Sequence, residues 1–379
     1  MTGVTIPGVG MTNFRSELPY SIVEMASLAA TRALDDAGYR ASEVTSLHVG
    51  TALADSLGLQ AGLGNALTSS LGIEGVAADR VENTSATGAS ALHRGVAAIQ
   101  SGQSDVALVV GAEKMSVGET ANVTEAISRV THEREYAQGL TLPSFGGLAA
   151  GVYLDRYDVP RETLATVAAK NHANAADNPV AQFRKTISVA DALESPVIAD
   201  PLRLYDCCPM TDGAAAVLLT RETMNDVQIL SVGSATGTHA VAERPDPLEI
   251  ESVREAGERT FDDAGMTPDD MDVVCIHDAF TILELLELEE LGFYQPGTAW
   301  QAVMEGETRR DGRLPVNPGG GLKARGHPLG ATGLSQIIEL VWQLRGDLPP
   351  NRQVPNASTA FAINVAGFGN NSVCTILEA

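Results

Sequence analysis

Two distant stretches of this chain are copies of one another. Leu34-Asp35-Asp36-Ala37-Gly38 through Leu47-His48-Val49 matches Phe261-Asp262-Asp263-Ala264-Gly265 through Val274-Cys275-Ile276 without a gap. Each copy reads as a helix end, a glycine stop, a short turn and a buried strand. A second correspondence sets Ser85-Ala86-Thr87-Gly88, ahead of a helical pattern at 89–99, against Gly330-Ala331-Thr332-Gly333, ahead of one at 334–344. Apolar runs such as Val106-Ala107-Leu108-Val109-Val110 alternate with alanine-rich helical stretches such as 24–37, so the repeated unit is α/β and the chain is expected to be a duplicated α/β assembly.

At 379 residues the chain exceeds the roughly 250–300 that one core supports, in keeping with two packed halves. From 116 to 209 the sequence becomes loop-rich, with helical pieces at 148–157 and 161–176, and reads as an insertion. Asp212-Gly213-Ala214-Ala215-Ala216-Val217-Leu218-Leu219 then supplies a last strand of the first half, its small residues allowing a neighbour to approach closely. The expected organisation is a first half at 1–115 completed by a strand at 210–222, an inserted loop domain at 116–209, and a second half at 223–379. No apolar run reaches the roughly 18 residues that would span a bilayer, and Met1-Thr2-Gly3-Val4 does not open a signal peptide, so a soluble cytoplasmic protein with no membrane partner is expected.

The formal net charge is −23, with Lys114, Lys170, Lys185 and Lys323 as the only lysines, a balance typical of halophilic proteins. Clustered positive charge is missing, which argues against a nucleic-acid partner. Cys207, Cys208, Cys275 and Cys374 lack metal-ligand spacing and are expected to be structural thiols, so no metal site is expected.

Four segments carry residues suited to chemistry. Val81-Glu82-Asn83-Thr84-Ser85-Ala86-Thr87-Gly88 places the Ser85 hydroxyl where a loop enters a helix, and the unpaired N–H groups there can stabilise an oxyanion. Locally, Ser85 or Thr84 also suits a plain N-cap. The glycine-rich loop from Asn317 to Gly333 reads as an active-site loop, with Asn317 a candidate substrate or oxyanion contact. His327, held before Pro328 in a restricted conformation, is a candidate general base. The Gly319-x-Gly321-x-x-Ala324 spacing suggests a dinucleotide loop only superficially, because Pro315 and Pro318 interrupt the strand such a loop must follow. His277, at the end of the run Val273-Val274-Cys275-Ile276, is a second candidate acid, base or oxyanion donor. The glycine turn in Ile363-Asn364-Val365-Ala366-Gly367-Phe368-Gly369-Asn370 offers the backbone N–H groups of Gly367 and Gly369 as oxyanion donors.

Together with Val110-Gly111-Ala112-Glu113-Lys114-Met115-Ser116, Asp212-Gly213-Ala214-Ala215-Ala216, His277-Asp278-Ala279-Phe280 and Gly326-His327-Pro328, these segments resemble the thiolase superfamily over nearly the whole chain, most closely the archaeal and sterol-carrier-protein-like thiolases. The resemblance implies the thiolase fold, a duplicated five-layered α/β/α/β/α assembly with an inserted loop domain, in a homodimer or homotetramer. It implies acyl transfer between coenzyme A thioesters, with coenzyme A and acyl-CoA as substrates and no permanently bound cofactor. In that family a cysteine stands at the position of Ser85 and is activated by the histidine matching His327. A second catalytic cysteine falls at positions matching Ile363 or Ala279, and neither is a cysteine here. The implied constellation is Ser85, His327 and His277, with a catalytically silent acyl-CoA or lipid carrier as the alternative and an acyl-carrier-dependent ketoacyl synthase a more distant one. The resemblance to the large subunit of haloarchaeal two-subunit β-ketothiolases, which carries serine at this place, implies a small OB-fold, zinc-ribbon partner and leaves polyhydroxyalkanoate synthesis among the candidate pathways.

Overall fold

The structure, a computed structural model, describes residues 2–221 and 227–379; the expected boundary between 222 and 223 lies outside the described residues. The first half runs β1 (Val4–Met11), α1 (Ile22–Ala37), β2 (Ser46–Gly50), α2 (Leu63–Leu71), β3 (Ala77–Val81), α3 (Thr87–Gln100) and β4 (Val106–Glu113). Local rules fix its helix ends. Ser21 and Glu24 form a capping box at the start of α1, and Gly38, at φ +69, closes it in the left-handed conformation that costs glycine least. β4 runs three residues past the apolar run that signalled it, through Gly111-Ala112-Glu113.

The inserted segment is more helical than its composition suggests: α4 (Thr120–Ser128), α5 (Glu133–Tyr136), α6 (Leu142–Arg156), α7 (Glu162–Ala175) and α8 (Val189–Glu194), then a ribbon of β5 (Val197–Ala199) and β6 (Leu202–Arg203). Helix α6 begins six residues before the expected 148. Thr141 and Ser144 cap it, Pro143 stands in its first turn, and Gly146 and Gly147, which mask the pattern in sequence, pack where a Cβ would strike Phe280 and Ala199. β7 (Gly213–Arg221) returns to the first half, not at an edge but between β4 and β1.

The second half repeats the scheme with β8 (Val227–Thr236), α9 (Glu251–Ala264), β9 (Val273–Cys275), α10 (Thr281–Glu290), α11 (Ala299–Glu305), α12 (Leu329–Arg345), β10 (Thr359–Ala366) and β11 (Asn371–Glu378). The duplicated sequence is duplicated structure: α1, Gly38, a 3₁₀ turn and β2 correspond to α9, Gly265, a 3₁₀ turn and β9. Strand order is β3-β2-β4-β7-β1-β8-β11-β10-β9. The two halves' sheets join edge to edge through Val4↔Ile229, Thr5↔Gln228 and Ile6↔Val227. Helices α3 and α12 pack on each other between the sheets, α1 covers the outer face of the first and α9 that of the second, which gives five layers. The central core takes Leu92, Val96 and Ile99 from α3 and Leu334, Ile337 and Val341 from α12, together with strand residues of both halves.

Candidate active site

The duplication sets the geometry of the site. Each central helix follows a strand-edge segment and a turn, β3 before α3 and Val316, bridged to Val274, before α12. The turns carry Ser85 and His327 respectively, so both helices open beside one cavity of about 160 Å³ lined by Ser85, His277, His327, Gly367, Cys207 and Cys208 among others. The inserted segment walls its other side with Thr124, Ile127, Ser128, Leu142 and Pro143.

Ser85 sits in a 3₁₀ turn, Thr84–Ala86, directly before α3. The preceding Thr84 is held at φ +44, a left-handed conformation that costs a β-branched residue about 1–3 kcal/mol. Surrounding bonds impose it: the Thr84 N–H donates to Glu82 Oε1 (2.7 Å), the Asn83 N–H to Thr87 Oγ1 (2.8 Å), and the Thr87 hydroxyl back to the Thr84 carbonyl (2.6 Å). Asn83, whose amide donates to Ser90 Oγ and Asn371 Oδ1, ties the turn to β11. Ser85 is 4% exposed and its hydroxyl bonds to no described residue, although it lines the cavity. It is not an N-cap: neither the 3₁₀ turn nor α3 has a side-chain cap bond.

His327 and His277 meet edge to face, ring centroids 5.1 Å apart. Their tautomers follow from their partners. The Thr332 hydroxyl donates to the Pro328 carbonyl (2.9 Å), so its oxygen accepts from His327 Nδ1–H (2.8 Å), leaving Nε2 of His327 with a lone pair. At His277 the roles reverse. Nδ1 accepts from the Val365 N–H (3.2 Å) and the Asn364 amide (2.9 Å), so Nε2 carries the proton. One imidazole is thus a base and the other an N–H donor. Burial keeps both neutral, holding His327 down to about 3, with Arg325 adding to the effect, and His277 well below the usual histidine range.

Buried carboxylates hold these loops. Asp278 accepts from the N–H groups of Leu322 (2.6 Å) and Lys323 (3.3 Å), clamping the single π turn Gly321–Arg325 that leads to His327. Position 321 has to be glycine, because φ is +59 and a Cβ would lie 2.3 Å from Asp278 Oδ2. Burial, and then Glu284, push Asp278 up to about 6. Glu113, also buried, accepts from Thr51, Ala52, Leu53 and the Gly330 N–H, joining β4 to the start of α12.

Of the six residues singled out in sequence, Ser85, His277, His327 and Gly367 are brought together. Asn317 and Gly369 are not. Asn317 Oδ1 accepts the Ile276 N–H (3.0 Å), so this side chain steadies the backbone just before His277 instead of facing the cavity. The Gly369 carbonyl accepts the Ser252 hydroxyl (2.9 Å), and a Cβ there would meet Ile250 and Arg244, behind the cavity wall. Sequence reasoning passed over Thr332 and Asn364, the tautomer-setting partners. The first was visible as the repeat mate of Thr87; the second lies in β10, just ahead of the final glycine turn. The four cysteines are free thiols; Cys207 and Cys208 line the cavity, and Cys275 and Cys374 lie buried in β9 and β11.

The sequence matches the family model for the thiolase N-terminal domain over residues 4–223 and the thiolase C-terminal domain-like model over 233–379. An acetyl-CoA acetyltransferase of Methanothermobacter thermautotrophicus is 38% identical over 385 residues, covering all of both chains. Sterol carrier protein 2 of Oryctolagus cuniculus is 33% identical, with 99% of this chain matched to 72% of that protein. Among solved structures, the Ltp2-ChsH2(DUF35) aldolase superposes with a TM-score of 0.87 at 24% identity, covering 100% of this chain and 98% of that one. Human mitochondrial 3-ketoacyl-CoA thiolase superposes with a TM-score of 0.77 at 17% identity, covering 99% and 98%. At those identities the structural likeness is one of fold. The duplicated halves, the two helices that open on one cavity and the two family models that together span nearly all of the sequence converge: this chain belongs to the thiolase family.

Proposed function

We propose that the chain is a β-ketothiolase, an acyltransferase that passes the acyl group of a 3-ketoacyl-CoA to coenzyme A through an ester on Ser85. The observation that carries this reading is the opposed tautomers of two imidazoles beside an unpartnered serine. His327 Nε2 takes the Ser85 proton as the oxygen attacks the keto carbonyl, and His277 Nε2–H donates to the oxyanion that forms. A serine hydroxyl is far less acidic than a thiol, so the base is needed at the transition state. A cavity of about 160 Å³ lies below the roughly 300–1,000 Å³ of sites that bury a drug-sized ligand, so it suits the acyl end, with the bulk of coenzyme A outside it. The 38% identity to an acetyl-CoA acetyltransferase over the whole chain supports the same substrate class.

The first test is mass spectrometry of the protein incubated with acetyl-CoA, with acetoacetyl-CoA thiolysis followed in parallel. The expected result is one acetyl group on the Ser85 peptide. In Ser85→Ala that acetyl group is absent and thiolysis falls by about 10³-fold or more, whereas Ser85→Cys retains turnover because His327 serves either nucleophile. Acetoacetyl-CoA bound but never consumed by the wild-type chain, both alone and with its small partner, identifies a carrier and ends the enzyme reading. The proposal extends to a homo-oligomeric core with a small OB-fold, zinc-ribbon partner, as the resemblance to two-subunit enzymes implies.

A further inference from the structure

The carbon chemistry of this reaction needs a proton that neither histidine is placed to move. Splitting a 3-ketoacyl chain leaves an electron pair on C2, and making the bond removes a proton from that carbon. His327 is occupied with the Ser85 proton, and His277 is fixed as an N–H donor by two bonds to Nδ1. The described cavity wall has four other side chains bearing a transferable proton: Thr124, Ser128, Cys207 and Cys208. The two hydroxyls are committed, Thr124 to the Thr120 carbonyl (3.0 Å) and Ser128 to the Thr124 carbonyl (2.7 Å). The thiols remain.

Of the pair, Cys208 stands nearer the histidines along the chain fold. Its N–H donates to the Ala279 carbonyl (2.9 Å), which fixes it against the residue two beyond His277, while Cys207 bridges Phe280 one step further along. Buried Lys323 forms no ion pair with a carboxylate among the described residues. It rests over the rings of Phe183 and Tyr205, and its positive charge acts on both thiols. We propose that Cys208 is a further catalytic residue, whose thiol protonates C2 of the substrate when the 3-ketoacyl chain is split and whose thiolate removes that proton when the bond is made. The inference rests on the acyl-enzyme reading above.

The steps balance. Ser85 oxygen bonds to C3 and its proton passes to His327 Nε2; the C2–C3 bond then breaks, and C2 takes the proton of Cys208, releasing acetyl-CoA and leaving a thiolate beside Lys323. The proton held on His327 then resets the Cys208 thiolate, and in the second half-reaction His327 takes the thiol proton of incoming coenzyme A as its sulfur attacks the Ser85 ester and hands that proton to the departing Ser85 oxygen. Burial pushes the Cys208 thiol up to about 12, so the resting group is protonated, as a donor must be, and its thiolate is a strong base.

Acylation of Ser85 by acetyl-CoA and its reversal need only His327, and this separates the two assignments experimentally. Exchange of isotope-labelled coenzyme A into acetyl-CoA is compared with loss of deuterium from trideuteroacetyl-CoA and with acetoacetyl-CoA thiolysis, in the full chain. Cys208→Ala is expected to keep label exchange within about threefold of wild type and to lose deuterium washout and thiolysis by about 10²-fold or more. Cys208→Ser, which restores the volume, does not recover them. Thiolysis within threefold of wild type in either variant overturns the proposal. So does loss of label exchange together with thiolysis in the serine variant, which marks a packing role, or a carbon-proton defect in Cys207→Ala that Cys208→Ala lacks. If the wild-type chain shows no label exchange, or Ser85→Ala exchanges label as fast as wild type, the acyl-enzyme reading itself fails.

Discussion

Thr332 and Asn364 decide what the two cavity imidazoles do, because each fills one ring nitrogen and so dictates what the other presents. The same burial that keeps the rings neutral gives the site an unusual pH response. An unfolded histidine takes a proton near pH 6.5, whereas folded His327 waits until about 3, and His172, desolvated and near Lys323, until about 4. The unfolded chain therefore binds more protons below pH 6.5, and stability, fully present above that value, falls as pH drops toward 4, on the order of 1 kcal/mol per pH unit for each group. Asp278 works the other way: held up at about 6, its folded carboxyl accepts a proton before its unfolded form does and returns part of the loss between 6 and 4. The expected rate of labelled coenzyme A exchange is flat from pH 5 to 8, with any acid loss tracking circular dichroism. An acid limb centred near 6.5 in a folded sample contradicts the assignment of His327 as a base held neutral by burial. Of this proposed chemistry the sequence displayed the candidate groups, Ser85 and His327 in turns marked by Gly88 and by Gly326 and Pro328, and His277 at the end of an apolar run. It did not display the partners: Asn364 lies in a strand and acts across 87 positions on His277, a contact that no local pattern encodes.

At the level of elements, the contact between α3 and α12 aligns the site. A Cβ on Gly333 would lie 2.3 Å from the Ala89 nitrogen and 2.4 Å from Asn364 Oδ1, and one on Gly88 would lie 2.9 Å from the Gly333 nitrogen. Only glycines let the helices approach this closely, and the residues that touch are the repeat mates Gly88 and Gly333. Gly333→Ala is expected to destabilise the fold by about 1–3 kcal/mol through overpacking. It should also displace Asn364 from His277, so that calorimetry shows a fall of several degrees in Tm while turnover falls more than tenfold. A variant with wild-type Tm and turnover removes this contact from the account. The repeat made α3 and α12 legible from residues alone, and α1 and α9 as well, down to Gly38 and Gly265 as the C-caps of the latter pair. The inserted segment was less readable: Gly146 and Gly147 hid the first turns of α6, and the short α4 fully buries only Val123 and Ser128.

Across the whole molecule, the charge of −23 is the property that the fold leaves uncompensated. Many ion pairs lie at the surface, such as Arg40–Glu43 and Arg259–Glu255, where each contributes little. The buried pairs, Lys170–Glu284 and Arg352–Glu339, organise the second half's interior. Mutual repulsion among the remaining carboxylates is screened as the Debye length shortens to about 3 Å near 1 M salt. Tm is expected to climb steadily in KCl from about 0.1 to 2 M, and sucrose, which does not screen charge, should not reproduce the full rise. A Tm indifferent to KCl shows that repulsion does not limit this fold.

Ser85 and His327, the proposed nucleophile and base, arrive from opposite repeats and share no backbone segment, so their spacing is a gauge of how one repeat rests against the other. Mild urea that loosens this seating by a fraction of an ångström, without melting a single helix, should silence the enzyme first. The midpoint for lost turnover is accordingly expected at a lower urea concentration than the midpoint for lost ellipticity; coincident midpoints mean that the two repeats come apart only when each of them melts.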